Sequence, residues 1–232
     1  RKMIKYSIII PSYNEYENLK LLIPELLEVL KDSIHLYEIL IIDRMSKDED
    51  TFILTQTHKV KYIQRAGGDR YGDAVRSGIS SAIGRTIIFM DGDGSHNPKE
   101  LLDLSKHSDS YDLVVSSRYL TSSKSENTYI KELGSIFLNK ICRMLFKINC
   151  SDFSNSFKAY NGDLLKQVTL YSNDIDIIEE MIYKLIGIKN DITIYEIPGT
   201  FRKRVNYESR RKPFVYFLSY IKTLVRLKFL GK

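Results

Sequence analysis

Apolar residues in the first half of the chain follow two alternating patterns. Short isoleucine-rich runs at 6–10, 39–42, 60–63, 86–90 and 113–115 are continuous rather than alternating, as strands buried on both faces are. Between them, apolar positions recur at helical spacing over 18–31 and 73–83, and a third helix is expected over 98–106. Pro98 suits the first turn of that last helix, and Pro24 predicts a kink in the first. Strands alternating with helices predict a parallel sheet covered on both faces. Ligands of such sheets bind beyond the carboxyl ends of the strands. Pro11 through Glu15, Asp43, Asp91 through His96 and Ser116 through Tyr119 all fall there.

The second half changes character. Helices are expected over 131–147 and 176–186, an extended segment over 153–160, and a strand over 192–197 ended by Pro198. A closing helix over 213–230 repeats Phe214, Phe217, Leu218, Ile221, Leu224 and Val225 at helical spacing, with Lys222, Arg226 and Lys228 among its polar positions. The expected organisation is an α/β domain over 1–212 followed by a basic amphipathic helix over 213–232.

A chain of 232 residues, 43% apolar, can bury one substantial core. Its two cysteines, Cys142 and Cys150, form no disulfide framework or metal-ligand spacing, which points to a reducing compartment. The opening Arg1, Lys2, Met3 has no leader-like apolar run, and no stretch reaches the length of a spanning helix, so a cytoplasmic protein is expected. Charge sharpens this picture. Residues 202–232 carry 10 basic side chains and one acid, whereas residues 1–201 carry 25 basic and 28 acidic ones. A basic, amphipathic end suits the cytoplasmic face of an anionic membrane, or a membrane partner subunit, with no spanning segment. Nucleic acid is not implied, because no recognition motif accompanies the charge.

The chemistry concentrates at Asp91-Gly92-Asp93-Gly94-Ser95-His96, directly after an apolar strand. Two carboxylates on one short loop can hold Mg²⁺ or Mn²⁺ while leaving positions for water and substrate phosphates. A cation so placed neutralises a departing diphosphate. His96 reads equally well as a hydrogen-bonding residue of the loop, since imidazole favours transition metals over Mg²⁺.

These residues resemble the GT-A fold, family 2 glycosyltransferases, and within them the dolichol-phosphate mannosyltransferase-like group that acts on polyprenyl phosphates. The resemblance runs from Tyr6 to Arg211. It implies a single Rossmann-like nucleotide-sugar-binding domain. Ile10-Pro11-Ser12-Tyr13-Asn14-Glu15 resembles the nucleotide-binding first loop, Asp43 the acid after the second strand, and Asp91 through Pro98 the metal motif and its tail. Ser116-Ser117-Arg118-Tyr119 resembles the acceptor-side arginine motif, and Glu196-Ile197-Pro198 through Phe201, Arg204 and Ser209 the final basic motif, whose arginine approaches the phosphates. The resemblance implies donor contacts from Pro11, Tyr13, Glu15, Asp43, Arg70 and Asp91, with Asp91 and Asp93 holding the metal. The chain also departs from the pattern. Arg44 stands where a second Asp is usual, Tyr71 interrupts a small Gly-rich turn, and Ser156 and Tyr207 replace glycines.

Transfer to a sugar hydroxyl normally needs a general base. A phosphate monoester, with a second pKa of about 6, is largely ionised at neutral pH and needs instead cations that hold it in line. Arg118 is the first such cation. Lys131, where the resemblance places an arginine, is the second, and Ser135 and Asn139 return to the same helix face in steps of four. Spacing alone also fits a plain polar face. The catalytic set implied is Asp93, Arg118, Lys131 and Arg204, acting on a nucleotide-diphosphate sugar and a polyprenyl phosphate.

Four rivals remain. A same-fold transferase acting on a sugar hydroxyl would need a base, for which only Asp152 and Glu180 stand out. A nucleotidyltransferase or dinucleotide oxidoreductase would carry glycines in the first loop, and Ser12-Tyr13-Asn14-Glu15 has none. A non-catalytic nucleotide-sugar-binding module would not need both Asp91 and Asp93.

Overall fold

The computed structural model describes residues 3–34, 36–44, 49–125, 129–203 and 213–230, with side chains at all of these except 49, 125, 129–133, 213–219 and 230. Lys131 therefore contributes only its backbone here, and Arg204, Tyr207 and Ser209 lie outside the described residues.

The chain runs β1 (Tyr6–Pro11), α1 (Tyr16–Leu30), β2 (Tyr37–Asp43), α2 (Glu49–His58), β3 (Lys61–Gln64), α3 (Tyr71–Ser81), β4 (Thr86–Phe89), α4 (Glu100–His107) and β5 (Leu113–Ser117). It continues β6 (Lys124–Ser125), α5 (Tyr129–Phe146), β7 (Lys158–Asn161), α6 (Gly162–Leu165), α7 (Ile177–Ile188), β8 (Ile194–Pro198), β9 (Thr200–Phe201) and α8 (Pro213–Leu230). Seven strands form one sheet in the order β3-β2-β1-β4-β7-β5-β8. All its pairings are parallel except those of β7, which runs antiparallel between β4 and β5. The mostly parallel sheet expected from the isoleucine runs is thus present. Alternation along each strand divides the core. Ile9, Leu40, Ile42, Phe89 and Val115 face α3, α5, α7 and α8, while Ile8, Ile10, Ile41, Ile88 and Val114 face α1 and α4.

The sequence reading is corrected at three elements. α1 continues through Pro24, which sits on the solvent face, where a carbonyl left without its helical partner can be solvated. α2 has no counterpart in the apolar pattern. It buries Thr51, Leu54 and Thr55 and turns Phe52 and Ile53 outward, so no apolar stripe marks it. The extended segment expected over 153–160 is a strand only from Lys158, because the backbone N–H of Asn155 bonds to Asp152 Oδ1 (3.1 Å) and that of Phe157 to Asn155 Oδ1 (3.4 Å), folding 152–157 into turns.

The strand order reverses direction between β1 and β4, and ligands of open α/β sheets bind in the crevice such a switch point opens. The loop after β1 and the loop carrying Asp91 and Asp93 meet there. A Cβ on Gly92 would stand 3.3 Å from the Pro11 carbonyl oxygen, tighter than most real contacts.

Candidate active site

One cluster is built on the ends of β1 and β2. Asn14 takes φ of 55°, a left-handed conformation that asparagine tolerates, and this turns the loop sharply after Tyr13. Glu15 precedes α1 and accepts a hydrogen bond from Asn18 Nδ2 at 2.5 Å. Tyr13 is exposed, with the guanidinium carbons of Arg44 and Arg65 at 5.5 and 5.9 Å from its ring centroid, close enough for cation–π attraction. Arg44 also donates to the Tyr13 hydroxyl (3.2 Å) and pairs with Asp69. Asp43, fully buried, accepts from the Tyr62 hydroxyl at 3.0 Å. Arg65, which no motif singles out, ties this side together. Its Nη2 donates to the Ser12 carbonyl (2.5 Å) and its Nη1 to those of Asp69 (3.3 Å) and Arg70 (3.1 Å). The Arg70 side chain instead reaches Asp174, at 2.8 Å.

Asp91 and Asp93 stand just past β4. Asp93 Oδ1 accepts from the Ser95 backbone N–H (3.0 Å), and Gly94 turns the loop with φ of 77°. The Ser95 hydroxyl is buried without a hydrogen-bond partner. Among the described residues no three His, Cys, Asp or Glu side chains converge on one point. A divalent cation here would thus take two carboxylates from the protein and its remaining oxygens from phosphate and water, a donor set that fits Mg²⁺ or Mn²⁺. His96 is a brace. Its Nδ1 accepts the Asp91 N–H (3.0 Å), which assigns the proton to Nε2, and Nε2 faces Asn155 Oδ1 at 3.1 Å. The ring stacks on Phe157 with centroids 4.8 Å apart.

A second cluster centres on Arg118. Asp152, fully buried, receives Arg118 Nε and Nη2 at 2.8 Å each and the Arg118 backbone N–H at 3.0 Å. Burial alone would raise the Asp152 pKa, but the charge and hydrogen bonds of Arg118 hold it below the usual carboxylate range. Arg118 Nη2 further reaches Ser154 Oγ (2.8 Å) and Ser135 Oγ (3.4 Å), so the fold brings Ser135 to Arg118. Asn139 is buried, and its Oδ1 accepts the backbone N–H groups of Phe153 (2.8 Å) and Ser154 (3.3 Å), setting the turn behind Arg118. Lys158, also buried, donates to the carbonyls of Phe153 (3.1 Å) and Asn155 from beneath, and burial lowers its pKa.

The strand β9 crosses this floor. Phe201 bridges to His96 and lies 5.7 Å under the Arg118 guanidinium. Arg202 anchors the crossing through Glu25 (3.1 Å) and Asn97 (2.8 Å). Glu100, missed in the sequence, accepts Ser116 Oγ and the Thr200 N–H at 2.6 Å each, joining β5 to β9; burial raises its pKa. Glu180 lies elsewhere, accepting the N–H groups of Tyr171 (3.0 Å) and Ser172 (2.6 Å) and pairing with Lys184 and Arg226 at 3.3 Å each.

Comparison with known proteins places this geometry. A model for glycosyl transferase family 2 matches residues 7–169. An undecaprenyl-phosphate mannosyltransferase of Micrococcus luteus is 30% identical, over 87% of this chain and 85% of that protein. A dolichol-phosphate mannosyltransferase of Pyrococcus furiosus is also 30% identical, over 97% of this chain and 64% of that longer protein. Among solved structures, a glucosyl-3-phosphoglycerate synthase of Mycobacterium tuberculosis, in complex with Mn²⁺, UDP and glucosyl-3-phosphoglycerate, superposes with a TM-score of 0.73 at 16% identity, covering 97% of this chain and 80% of that one. That likeness bears on the fold.

Proposed function

Since the chain belongs to glycosyl transferase family 2, we propose that it moves a sugar, with inversion, from a nucleoside-diphosphate sugar onto a polyprenyl phosphate at the cytoplasmic face of a membrane. The observation that carries the acceptor class is the state of the two carboxylates a hydroxyl acceptor would need. Asp152 is buried in a bidentate pair with Arg118, and Glu180 is buried under two backbone N–H groups and two cations. Neither is placed to take a proton, and a phosphate acceptor requires none. The names of the Micrococcus and Pyrococcus relatives point to the same acceptor class.

In this reading Pro11, Tyr13, Glu15, Asp43 and Arg70 border the nucleotide, and Asp91 and Asp93 hold Mg²⁺ or Mn²⁺. When bound, that cation supplies positive charge to the leaving diphosphate. Arg118 and Ser135 orient the acceptor phosphate from one side, with Lys131 one turn before Ser135 on α5 and Asn139 setting the turn beneath. Arg204 completes the charge around the diphosphate. An acceptor phosphate oxygen forms the new bond to the anomeric carbon as the bond to the donor diphosphate breaks, and the electron pair leaves with the nucleoside diphosphate. The test is a screen of nucleotide sugars with Mn²⁺ or Mg²⁺, with and without polyprenyl phosphate. Transfer that requires the lipid phosphate and is lost in Asp93→Ala or in excess chelator is expected; a sugar-to-sugar product would instead favour a hydroxyl acceptor.

A further inference from the structure

Tyr71 opens α3, and its hydroxyl stands 3.4 Å from Asp91 Oδ1, at the long end of hydrogen-bond range. On the other side of that carboxylate, His96 Nε2 lies 4.0 Å from Oδ2 and is engaged by Asn155. Tyr71 is held in place from behind. The next residue, Gly72, donates its N–H to the Asn173 carbonyl (2.8 Å), and a Cβ there would come within 2.3 Å of the Ser172 carbonyl oxygen, so glycine lets the first turn of α3 sit directly on that loop. Arg76, one turn on, donates to the Ser172 carbonyl (2.6 Å) and to Asn173 Oδ1 (3.1 Å). The loop is fixed from its far side by Glu180 on α7, and by Arg226 on α8, whose Nη2 reaches Ser172 Oγ at 2.6 Å. These contacts fix the backbone that carries Tyr71, its ring packs against the core, and its hydroxyl lies beside one oxygen of the Asp91 carboxylate.

We infer that Tyr71 is a positioning residue for the metal site: it fixes the Asp91 carboxylate through Oδ1 and so tunes how tightly the cation is held. This rests on the proposed role of Asp91 as a metal ligand. Outer partners that orient a ligating carboxylate typically contribute 10-fold to 100-fold in metal affinity, and a single long hydrogen bond belongs at the low end. Tyr71→Phe removes the hydroxyl and keeps the ring packed. Mn²⁺ binding is followed by the electron paramagnetic resonance signal of free Mn²⁺, with GDP and with UDP in separate titrations of the full chain. Thermal melting is measured without metal. The expected result is Mn²⁺ binding weakened about 10-fold in Tyr71→Phe, with the metal-free melting temperature and the KM for polyprenyl phosphate unchanged. Equal Mn²⁺ affinity in variant and wild type, or a fall matched by a lower metal-free melting temperature, overturns the role of Tyr71 alone. Absence of Mn²⁺ binding by the wild type with either nucleotide overturns the metal-site reading on which it rests.

Discussion

Glu179 is the residue whose chemistry is least compatible with its place. It is buried beside Lys158 and Tyr160 on the α7 side of β7, and among the described residues its carboxylate oxygens make no hydrogen bond of good geometry, the Tyr220 hydroxyl offsetting only part of the cost of burial. Burial raises its pKa from an ordinary 4.5 to about 8. Between those values the folded chain keeps a proton that the unfolded chain releases, so stability falls as pH rises from about 4.5 to about 8. Glu179→Gln, which stays neutral, should flatten this dependence and stabilise the protein by roughly 1–3 kcal/mol at the alkaline end. Urea unfolding of both proteins at pH 5 and pH 8.5 checks it; equal slopes with pH would count against the assignment. Nothing in the sequence distinguishes Glu179 from its neighbour Glu180: both are buried, and what separates them is that Glu180 meets two backbone N–H groups and two cations supplied by distant segments. The same holds across the site. Asp91, Asp93 and Arg118 are legible because short motifs at strand ends carry them. Arg65 and the Arg118–Asp152 pair are not, since their partners lie 53 and 34 residues away along the chain.

At the scale of the element, α8 shows how apolar periodicity can misplace a face. Spacing alone groups Ile221, Leu224 and Val225, but the buried set is Tyr220, Leu224 and Leu227, and Val225 is exposed. Polar partners account for the rotation. The Tyr220 hydroxyl lies 2.8 Å from Cys142 Sγ on α5, Thr223 donates to Asp176, and Arg226 pairs with Glu180, so residues that score as polar face inward. The described second half of this helix therefore packs into the same core as α5 and α7. Leu227→Ala should cost about 2–5 kcal/mol, the usual range for a buried leucine, read as a lower urea midpoint. Truncation after Lys212 takes Tyr220, Leu224 and Leu227 out of that core together, so the shortened chain should aggregate or melt far below the full one. A truncated protein that stays folded would show that α8 is dispensable to the core. The strands β1, β2, β4 and β5, by contrast, are legible because continuous apolar runs have no alternative face to choose between, whereas β3 lies at the sheet edge with Lys61 and Gln64 exposed.

The whole molecule brings a hydrophobic and basic exterior close to Arg118. α5 turns Ser135 inward to Arg118 and leaves Phe137 (58%) and Met144 (71%) exposed among Lys140, Arg143 and Lys147. α8, which touches α5 through Tyr220 and Cys142, leaves Val225 and Phe229 exposed beside Lys222 and Lys228. Residues 134–150 and 220–230 contain no acid, so nothing on these stretches offsets the cations. No helix among the described residues is long and apolar enough to cross a membrane. Apolar side chains at the headgroup boundary and attraction to anionic lipid act together in such surfaces, and each basic residue near the membrane contributes on the order of 1 kcal/mol. If the acceptor is a lipid phosphate, a face that docks on one flank of α5 presents that phosphate to Arg118 on the other. The full chain should therefore pellet with vesicles containing anionic phospholipid, less so as salt rises. Replacing Lys140, Arg143 and Lys147 by Gln removes three cations and should weaken vesicle binding about 100-fold, given about 1 kcal/mol for each. The fold should be untouched, because all three side chains are exposed. Transfer to a short, water-soluble polyprenyl phosphate should then survive while transfer to the same phosphate embedded in vesicles falls. Equal loss on both substrates would place these cations in acceptor recognition instead of docking.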